Sequence, residues 1–469
     1  MTTAIVVGSG PNGLAAAARL SGAGVEVTVI EAADEIGGGA RSSSAIVDGL
    51  IHDHCSAFHP IAAASAIYAE LGLESRGLRW LQPDVDCAHP LDDGSAGAFL
   101  KSLDATEAEL GPDGRRWRRL FESSARHLDD LLSDATQPIL RVPRHPLLMA
   151  RFGGYAALPA SVLARRFRTE QARALWAGVA AHAYYRLDRP MTSAVGLMLI
   201  AAGHGEGWVV AEGGSQSIVT ALAGLVLEAG GRIETGTRVT SLDELPPSDV
   251  VMLDVAPRAA AELVGDRLPG RVRRPYHRFR HGPGAFKVDF AVEGEVPWRA
   301  EAARTAGTVH LGGDRREVEA NELAVHRGQM PDRPFVLVGQ QFLADPSRSV
   351  GSVNPLWTYA HVPQGYEGDA TEAITAQIER FAPGFRDQIV GVAVRSTTDM
   401  STQNPNFVGG DIIGGASTMK QLLFRPRVAR DPYATGVPGV YLCSASTPPG
   451  AGAHGMCGAN AAARALRRL

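Results

Sequence analysis

The stretch AIVVGSGPNGLAAAARLSGAGVEVTVIE, residues 4–31, predicts the fold of the chain. A short apolar β-run leads through glycines spaced G-x-G-x-x-G into an alanine-rich helix. Gly8 permits a tight turn, Gly10 lets backbone approach a diphosphate, and Gly13 lets the helix pack closely on the strand. Pro11 suits the first helical turn, because its missing N–H costs no hydrogen bond there.

A second strand, residues 25–30, ends at Glu31, which lies 18 residues after Gly13. An acid at that distance accepts hydrogen bonds from a ribose. The free N–H groups and the positive dipole end at the start of the helix favour a diphosphate. The combined pattern indicates a dinucleotide site, and a glycine-rich turn in an unrelated α/β unit is the alternative.

Composition excludes several classes of protein. The 469 residues are 45% hydrophobic and 20% charged, as in ordinary globular proteins, and they allow two domains. A net charge of −4 predicts no nucleic-acid partner. The four cysteines form no C-x-x-C, which argues against a redox dithiol, a zinc ribbon or a disulfide-stapled secreted fold. The chain enters its first strand at once, so we expect no signal peptide and a cytoplasmic protein.

Two segments follow Glu31 with polar side chains in suggestive places. The loop GGGAR, residues 37–41, sets Gly38 and Gly39 beside Arg41, which suits contacts to phosphate, or else forms a flexible turn with a solvated arginine. The segment HDHCSAFHP, residues 52–60, carries His54 and His59. These histidines line the ligand cavity in one interpretation and are structural in the other. No third ligand with metal-site spacing accompanies them, so we expect no metal.

Residues 62–205 lack β periodicity and predict a mostly helical insertion. Within it, residues 141–173 hold seven arginines against one acid, Glu170, with apolar residues between them. This pattern is typical of a surface that touches anionic lipid, although arginines on a solvated helical lid explain it as well. Peripheral contact with a membrane is therefore left open.

The rest of the chain returns to α/β patterns and then to a sheet. Residues 206–274 contain Gly213-Gly214, a helix, a strand over 232–242 and another over 249–254. Residues 275–395 are rich in strands, and the tail is strand, glycine-rich loop and helix. We predict a discontinuous Rossmann-type domain from 1–61, 206–274 and 396–469. The substrate domain then has a helical part, 62–205, and a mixed-sheet part, 275–395.

These motifs resemble the flavoprotein amine oxidase and phytoene desaturase superfamily, on its bacterial phytoene-dehydrogenase-like branch. The likeness rests on VVGSGPNGLAAA, Glu31, the GGGARS loop, Gly213-Gly214 and the tail CSASTPPGAGAHGMCG, and it covers essentially the whole chain. It implies a glutathione-reductase-like FAD-binding domain and FAD as cofactor. The cofactor contacts it implies are Gly8, Gly10, Pro11, Asn12 and Gly13 on the diphosphate, Glu31 on the ribose, Arg41 along the pyrophosphate, Val239 at adenine, and His454, Gly455 and Met456 at the flavin ring.

The second helix start has an independent reason. Reduction of flavin leaves negative charge near N1 and the C2 carbonyl, which a helix N-terminus stabilises. The loop from Ser444 to Gly455 leads into such a helix. Two helix starts, one for phosphate and one for a ring, suit FAD rather than NAD alone.

The strand AFKVDFAV, residues 285–292, carries the strongest candidate for chemistry. In amine oxidases a matching lysine holds a water near flavin N5, and Lys287 is similar to it. A solvated lysine is the alternative, but only three of the 46 basic residues are lysines, so each is a rare choice. Tyr359 lies on one strand face with Trp357 and His361, and could wall the cavity beside His54 and His59 or serve core packing.

We therefore expect an FAD-dependent oxidoreductase, phytoene-dehydrogenase-like or amine-oxidase-like. A mainly apolar or amphiphilic substrate would pass a hydride to flavin N5, and oxygen, a quinone or another carrier would accept the electrons. A flavin-dependent isomerase or redox-neutral enzyme is the first alternative, since fold does not fix function. A non-catalytic flavin-binding protein is the second.

Overall fold

The computed structural model describes residues 2–469, which form two sheets surrounded by helices. The strands are, in chain order, β1 Thr3–Val7, β2 Glu26–Ile30, β3 Ser42–Ser43, β4 His52–Asp53, β5 Trp80–Leu81, β6 Val85–Pro90, β7 Ala96–Phe99, β8 Val210–Ala211, β9 Arg232–Glu234, β10 Val250–Leu253, β11 Gly284–Glu293, β12 Ala306–Leu311, β13 Val336–Gly339, β14 Val353–Val362, β15 Ile389–Arg395 and β16 Val440–Leu442.

The helices lie between these strands and over both sheets. They are α1 Pro11–Gly22, α2 Pro60–Ala63, α3 Ala66–Leu71, α4 Leu103–Glu109, α5 Gly114–Arg126, α6 Leu128–Ala135, α7 Pro146–Ala156, α8 Ala160–Ala164, α9 Glu170–Ala181, α10 Ser193–Gly205, α11 Gln216–Glu228, α12 Pro257–Val264, α13 Gly270–His277, α14 Glu301–Arg304, α15 Arg315–His326, α16 Thr371–Phe381, α17 Thr397–Gln403, α18 Met419–Phe424 and α19 Met456–Leu466.

The first sheet is parallel, with strand order β16-β10-β1-β2-β9. Its strands come from the three stretches expected to form the discontinuous domain. The apolar side chains of β1 are buried, as expected for a strand covered by helices on both faces. The α/β fold with a parallel sheet and a separate mixed sheet is confirmed, whereas the exact domain boundaries stay a prediction.

Helix α1 is packed unusually tightly under α19 and α11. Its four consecutive alanines, residues 15–18, are buried, so no long side chain holds the helices apart. A Cβ atom on Gly458 of α19 would lie 1.7 Å from the carbonyl oxygen of Asn12. The small residues at both helix starts therefore allow the first and last helices of the fold to touch along their backbones.

The second sheet is mixed, with strand order β15-β11-β14-β13-β12-β6-β7. Five strands come from residues 275–395, but β6 and β7 come from the stretch expected to be mostly helical. The sequence analysis missed them because β6 pairs in parallel with β12 and both strands are buried, which leaves no polar alternation to detect. Helices α5, α9 and α10 pack on one face of this sheet.

The predicted strand over residues 232–242 is also shorter than expected. Strand β9 ends at Glu234, and Gly236 follows with φ of +67°. A left-handed residue ends the extended conformation and turns the chain toward the neighbouring strand ends. Within residues 2–469, no helix is long and apolar enough to cross a membrane.

Candidate active site

A cavity of about 600 Å³ opens at the carboxyl ends of the parallel strands. Four consecutive strand ends in the sheet contribute Gly8, Glu31, Asp254 and Ser444 to its wall. In open α/β sheets, ligands bind at this edge because the turns leading into the helices face the same side. The opposite end of the cavity is formed by β12, β13, β14, α9 and α10.

The first glycine-rich turn forms the cavity wall at the start of α1. Gly10, Pro11 and Asn12 line the cavity beside Gly8. The Oδ1 atom of Asn12 is buried and has no hydrogen-bond partner in residues 2–469. An orphaned polar atom beside a helix N-terminus fits a diphosphate that brings its own hydration or hydroxyl groups.

Gly13 does not line the cavity, although the motif includes it. A Cβ atom there would lie 2.2 Å from the carbonyl oxygen of Gly8, so the turn accepts no side chain at this position. Gly8 itself has φ of +102°, which a residue with a side chain rarely adopts. These two glycines shape the turn, and Gly10 presents backbone to the cavity.

Asp254, at the end of β10, is a functional residue that the sequence analysis missed. Its Oδ2 accepts a hydrogen bond of 2.9 Å from the N–H of Gly13, so the carboxyl occupies part of the helix N-terminus. Burial raises its pKa to about 7, and the nearby charge of Glu31 acts in the same direction. The available signal was the pairing of β10 with β1, which places the residues after both strands side by side.

Glu31 lines the cavity but already holds several donors. Its Oε2 accepts hydrogen bonds from the N–H and the hydroxyl of Ser9, at 2.9 and 2.6 Å. Its Oε1 accepts one from the N–H of Ala33 at 2.9 Å. An ionised carboxylate has about four lone-pair positions, so Glu31 retains acceptor capacity for ribose hydroxyls. Its contact with a ribose stays a prediction.

The loop after Glu31 brings Gly38, Gly39 and Arg41 to the cavity. The guanidinium of Arg41 is buried and is oriented by the carbonyl oxygens of Glu35 and Gln403, at 2.7 and 3.2 Å. Because carbonyls rather than carboxylates hold most of its donors, its positive charge is only weakly balanced. This arrangement suits an anionic ligand such as a diphosphate.

Val239 lies at the cavity edge with its neighbours Thr237, Arg238 and Thr240. The segment is loop rather than strand, since β9 ends before it. Phe407 is a further wall residue without a sequence signal, and it lies close enough that a Cβ on Gly39 would meet its ring at 2.9 Å. Contact of Val239 with adenine stays a prediction.

The second glycine-rich turn reaches the cavity earlier in the chain than expected. Residues 451–453 line the wall together with Ser444, whereas His454, Gly455 and Met456 do not. The N–H of Met456 donates to Nδ1 of His454 at 3.1 Å. The start of α19 is therefore capped by its own histidine, and the structure does not bring these three residues to the wall.

Lys287 lies one layer behind the cavity. On β11 it pairs with Tyr359 of β14, and its ammonium lies 5.2 Å from the ring centre of Trp357, which lines the cavity. Its Nζ bonds Asp289, whose other oxygen accepts from Arg395 at 2.7 Å. Burial lowers the pKa of Lys287 to about 8. The lysine is thus a buried, paired group rather than a solvated one, and its catalytic role stays a prediction.

The structure separates the other three catalytic candidates. Tyr359 lines the cavity. His54 and His59 do not: Nε2 of His54 pairs with the hydroxyl of Ser43 at 2.7 Å, and Nε2 of His59 pairs with the hydroxyl of Ser215 at 2.8 Å. Burial lowers the pKa of both histidines to about 4. Both imidazoles hold neighbouring loops together and lie outside the cavity wall.

The two ends of the cavity differ in charge. The acidic and arginine side chains in its wall are all at the parallel-sheet end; they are Glu31, Arg41, Arg238, Asp254 and Glu262. The other end is walled by apolar and aromatic residues with a few neutral polar groups; among them are Phe58, His182, Val195, Leu199, Trp208, Thr308, Leu337, Trp357 and Tyr359. In residues 2–469 no cluster of three or more His, Cys, Asp or Glu side chains is arranged to hold a metal ion.

Comparison with known proteins agrees with this geometry. The family model described as "Flavin containing amine oxidoreductase" matches residues 12–466, so the chain belongs to that family. It is 25% identical over 549 aligned positions to pyridine nucleotide-disulfide oxidoreductase domain-containing protein 2 of Mus musculus, covering 99% of this chain and 93% of that one. It is 29% identical over 251 positions to the hydroxyneurosporene desaturase of Cereibacter sphaeroides, covering 51% of this chain and 50% of that one.

A solved structure of a putrescine oxidase point mutant shares the fold, with a TM-score of 0.63, 16% identity and coverage of 100% of this chain and 99% of that one. Family membership and the residues at the cavity fit one cofactor. The protein is an FAD-dependent oxidoreductase. The residues that would hold FAD are the first glycine-rich turn, Glu31, Arg41 and the loop around Val239, at the charged end of the cavity.

Proposed function

We propose that this oxidoreductase removes a hydride from a mainly apolar or amphiphilic organic substrate, as a dehydrogenase or desaturase. The observation that carries the proposal is the distribution of charge along the cavity wall. Every acidic and arginine side chain in the wall is at the end assigned to the nucleotide. An alkylammonium substrate at the other end would lack a carboxylate partner, and a desolvated unpaired charge is costly.

FAD, when bound, supplies a hydride acceptor at N5 of its ring. The chain's own part is to hold the substrate C–H against that atom and to exclude water. Trp357 and Tyr359 form a rigid aromatic wall, with ring centres 4.9 Å apart and planes at 88°. Lys287 lies directly behind this wall and holds its proton against Asp289.

The test is anaerobic reduction of the FAD-loaded protein by a panel of carotenoids, fatty-acyl compounds, amines and cyclic ketones. We expect loss of the flavin absorbance near about 450 nm with neutral, mainly apolar compounds and none with amines. Bleaching by amines alone would contradict the proposal. Conversion that requires pre-reduced flavin would identify the isomerase, and reoxidation by oxygen or a quinone after bleaching identifies the electron acceptor.

Lys287 is the residue we propose for the reacting face. Lys287→Met removes the ammonium while Asp289 keeps its bond to Arg395, so the local charge balance changes by one buried group. We expect flavin reduction or reoxidation to slow by about tenfold or more, with unchanged FAD content. Lys420→Met, on an exposed position of α18, is the matched control. Equal rates in both variants would remove Lys287 from the mechanism.

The basic segment 141–173 is proposed as a lipid-contacting surface. It exposes apolar side chains, with Val142 87% and Leu147 86% exposed, beside exposed arginines of α7 and the following turn. Charge and apolar exposure on one surface favour adsorption to anionic membranes. Co-sedimentation with vesicles of phosphatidylglycerol, and loss of binding in the Val142→Asp, Leu147→Asp double variant, would support it. Equal sedimentation with neutral phosphatidylcholine would contradict it.

A further inference from the structure

A line of three side chains leads from the apolar end of the cavity into the mixed sheet. His182, which follows α9, lines the cavity and is only half-buried. Its Nε2 lies 3.0 Å from Nε2 of His310 on β12. The Nδ1 of His310 lies 3.4 Å from the sulfur of Cys87 on β6. His310 and Cys87 are both fully buried.

The packing of α9 against the sheet has room for this line because of Gly178. A Cβ atom at that position would lie 2.8 Å from Nδ1 of His310 and 2.6 Å from Nδ1 of His89. Any side chain there would displace the two imidazoles of the sheet. The glycine therefore keeps the line of side chains intact rather than serving a turn.

The direction of the hydrogen bonds follows from Cys87. Burial raises the pKa of its thiol well above the usual value, so the sulfur keeps its proton. Its nearest acceptor is Nδ1 of His310 at 3.4 Å, whereas the carbonyl oxygen of Ala88 is at 3.9 Å. With Nδ1 accepting, a neutral His310 carries its proton on Nε2 and donates to Nε2 of His182.

His182 must then carry its own proton on Nδ1. That atom has no hydrogen-bond partner among residues 2–469, and the side chain faces the cavity. The neighbouring polar groups are already used, since Nε1 of Trp208 donates to the hydroxyl of Thr308 at 2.8 Å. The apolar end of the cavity thus holds one open imidazole N–H whose tautomer is fixed from behind.

Both imidazoles are neutral at ordinary pH. Burial lowers the pKa of His182 to about 3, with the nearby His361 acting in the same direction, and burial lowers the pKa of His310 well below its usual value. A neutral donor favours an uncharged oxygen, because a carboxylate would need a cation and an ammonium group has no lone pair to offer.

We infer that His182 is a specificity residue that binds one carbonyl or hydroxyl oxygen of the substrate through Nδ1–H, and that His310 and Cys87 are positioning residues that fix its tautomer. This deepens the proposed function and rests on it, since it places an oxygen-bearing group at the end of an otherwise apolar substrate.

The test compares two probes that share one carbon skeleton, the ketone carvone and the hydrocarbon limonene. Their dissociation constants for the FAD-loaded protein are measured by calorimetry without turnover, so the result is independent of flavin reduction. We expect carvone to bind about tenfold more tightly than limonene, the contribution of one buried hydrogen bond. The ratio should stay constant between about pH 5 and pH 8, because neither histidine becomes charged in that range.

Three variants separate recognition from packing. His182→Leu should reduce the carvone-to-limonene ratio to about one, whereas His182→Asn, whose side-chain N–H lies near the position of Nδ1, should keep most of it. Cys87→Ala, which frees the tautomer, should lower the ratio without changing limonene binding. His326→Asn, on α15 and outside the cavity wall, is the control. Equal binding of the two probes by the unaltered protein, no binding of either, or an unchanged ratio in His182→Leu would overturn the proposal.

Discussion

The two glycine-rich turns line the same cavity but use their helices differently. At the first turn, residues 8–13, the start of α1 faces the cavity, and its N–H groups are shared with the carboxyl of Asp254. At the second turn, residues 450–455, the first N–H of α19 is taken by His454, and the loop before the helix faces the cavity instead. A glycine-rich approach to a helix thus does not by itself create an anion site.

The difference lies in what satisfies the backbone at each helix start. A carboxyl that can take up a proton leaves the first turn adjustable, whereas a neutral imidazole closes the second turn permanently. The first turn can therefore accept a charged ligand, and the second offers only loop backbone and dipole. Three predictions test this contrast, beginning with the packing that holds the two turns together.

Gly458→Ala should have the largest effect. The new Cβ would lie 1.7 Å from the carbonyl oxygen of Asn12, so α19 must move away from α1. We expect the free energy of unfolding, measured with urea, to fall by at least about 3 kcal/mol, together with loss of bound FAD. Gly22→Ala at the end of α1 is the control, because no atom lies within 4 Å of its new Cβ. Equal stability of the two variants would show that the helix starts are not in contact.

The second prediction concerns Asp254 and pH. Its pKa in the folded protein is raised to about 7, so its stabilising contribution is complete below the unfolded value and is lost as pH rises through about 7. A diphosphate next to the carboxyl favours the protonated form further. FAD affinity should therefore fall by up to about tenfold per pH unit above about pH 7, with proton uptake on binding detectable by calorimetry.

Asp254→Asn should bind FAD with little dependence on pH between about 6 and 8, and more tightly than the unaltered protein at about pH 8. Glu262→Gln removes an acid from the same end of the cavity but at an exposed position, so it should keep the dependence. A pH profile that survives in Asp254→Asn would assign the proton to another group.

The smallest effect is expected at the second turn. His454→Ala removes the acceptor for the N–H of Met456, and loss of such a cap costs about 1 kcal/mol in urea unfolding. His454→Asn supplies a side-chain oxygen near the position of Nδ1 and should recover most of that loss. FAD affinity should change less than in Asp254→Asn. A larger loss of affinity than of stability would place His454 at the flavin after all.

The parallel sheet and its first turn were predictable because local signals agree with the tertiary contacts. Gly8, Gly13 and Glu31 have steric or hydrogen-bonding reasons that depend on one βαβ unit. Asp254 was not predictable from its own neighbours, since its role depends on strand order across 241 positions of chain. The wall at His182 depends on pairing between β6 and β12, and β6 carried no periodic signal.

The strand order has a consequence for how the protein is made. Strand β1 is among the first residues synthesised, yet its neighbour β10 and the outer strand β16 follow more than 200 and 400 residues later. The buried alanines of α1 wait equally long for α19. Until the ribosome releases the tail, this surface stays open to water, chaperones and other nascent chains, and the cofactor can lock the finished sheet only after translation ends.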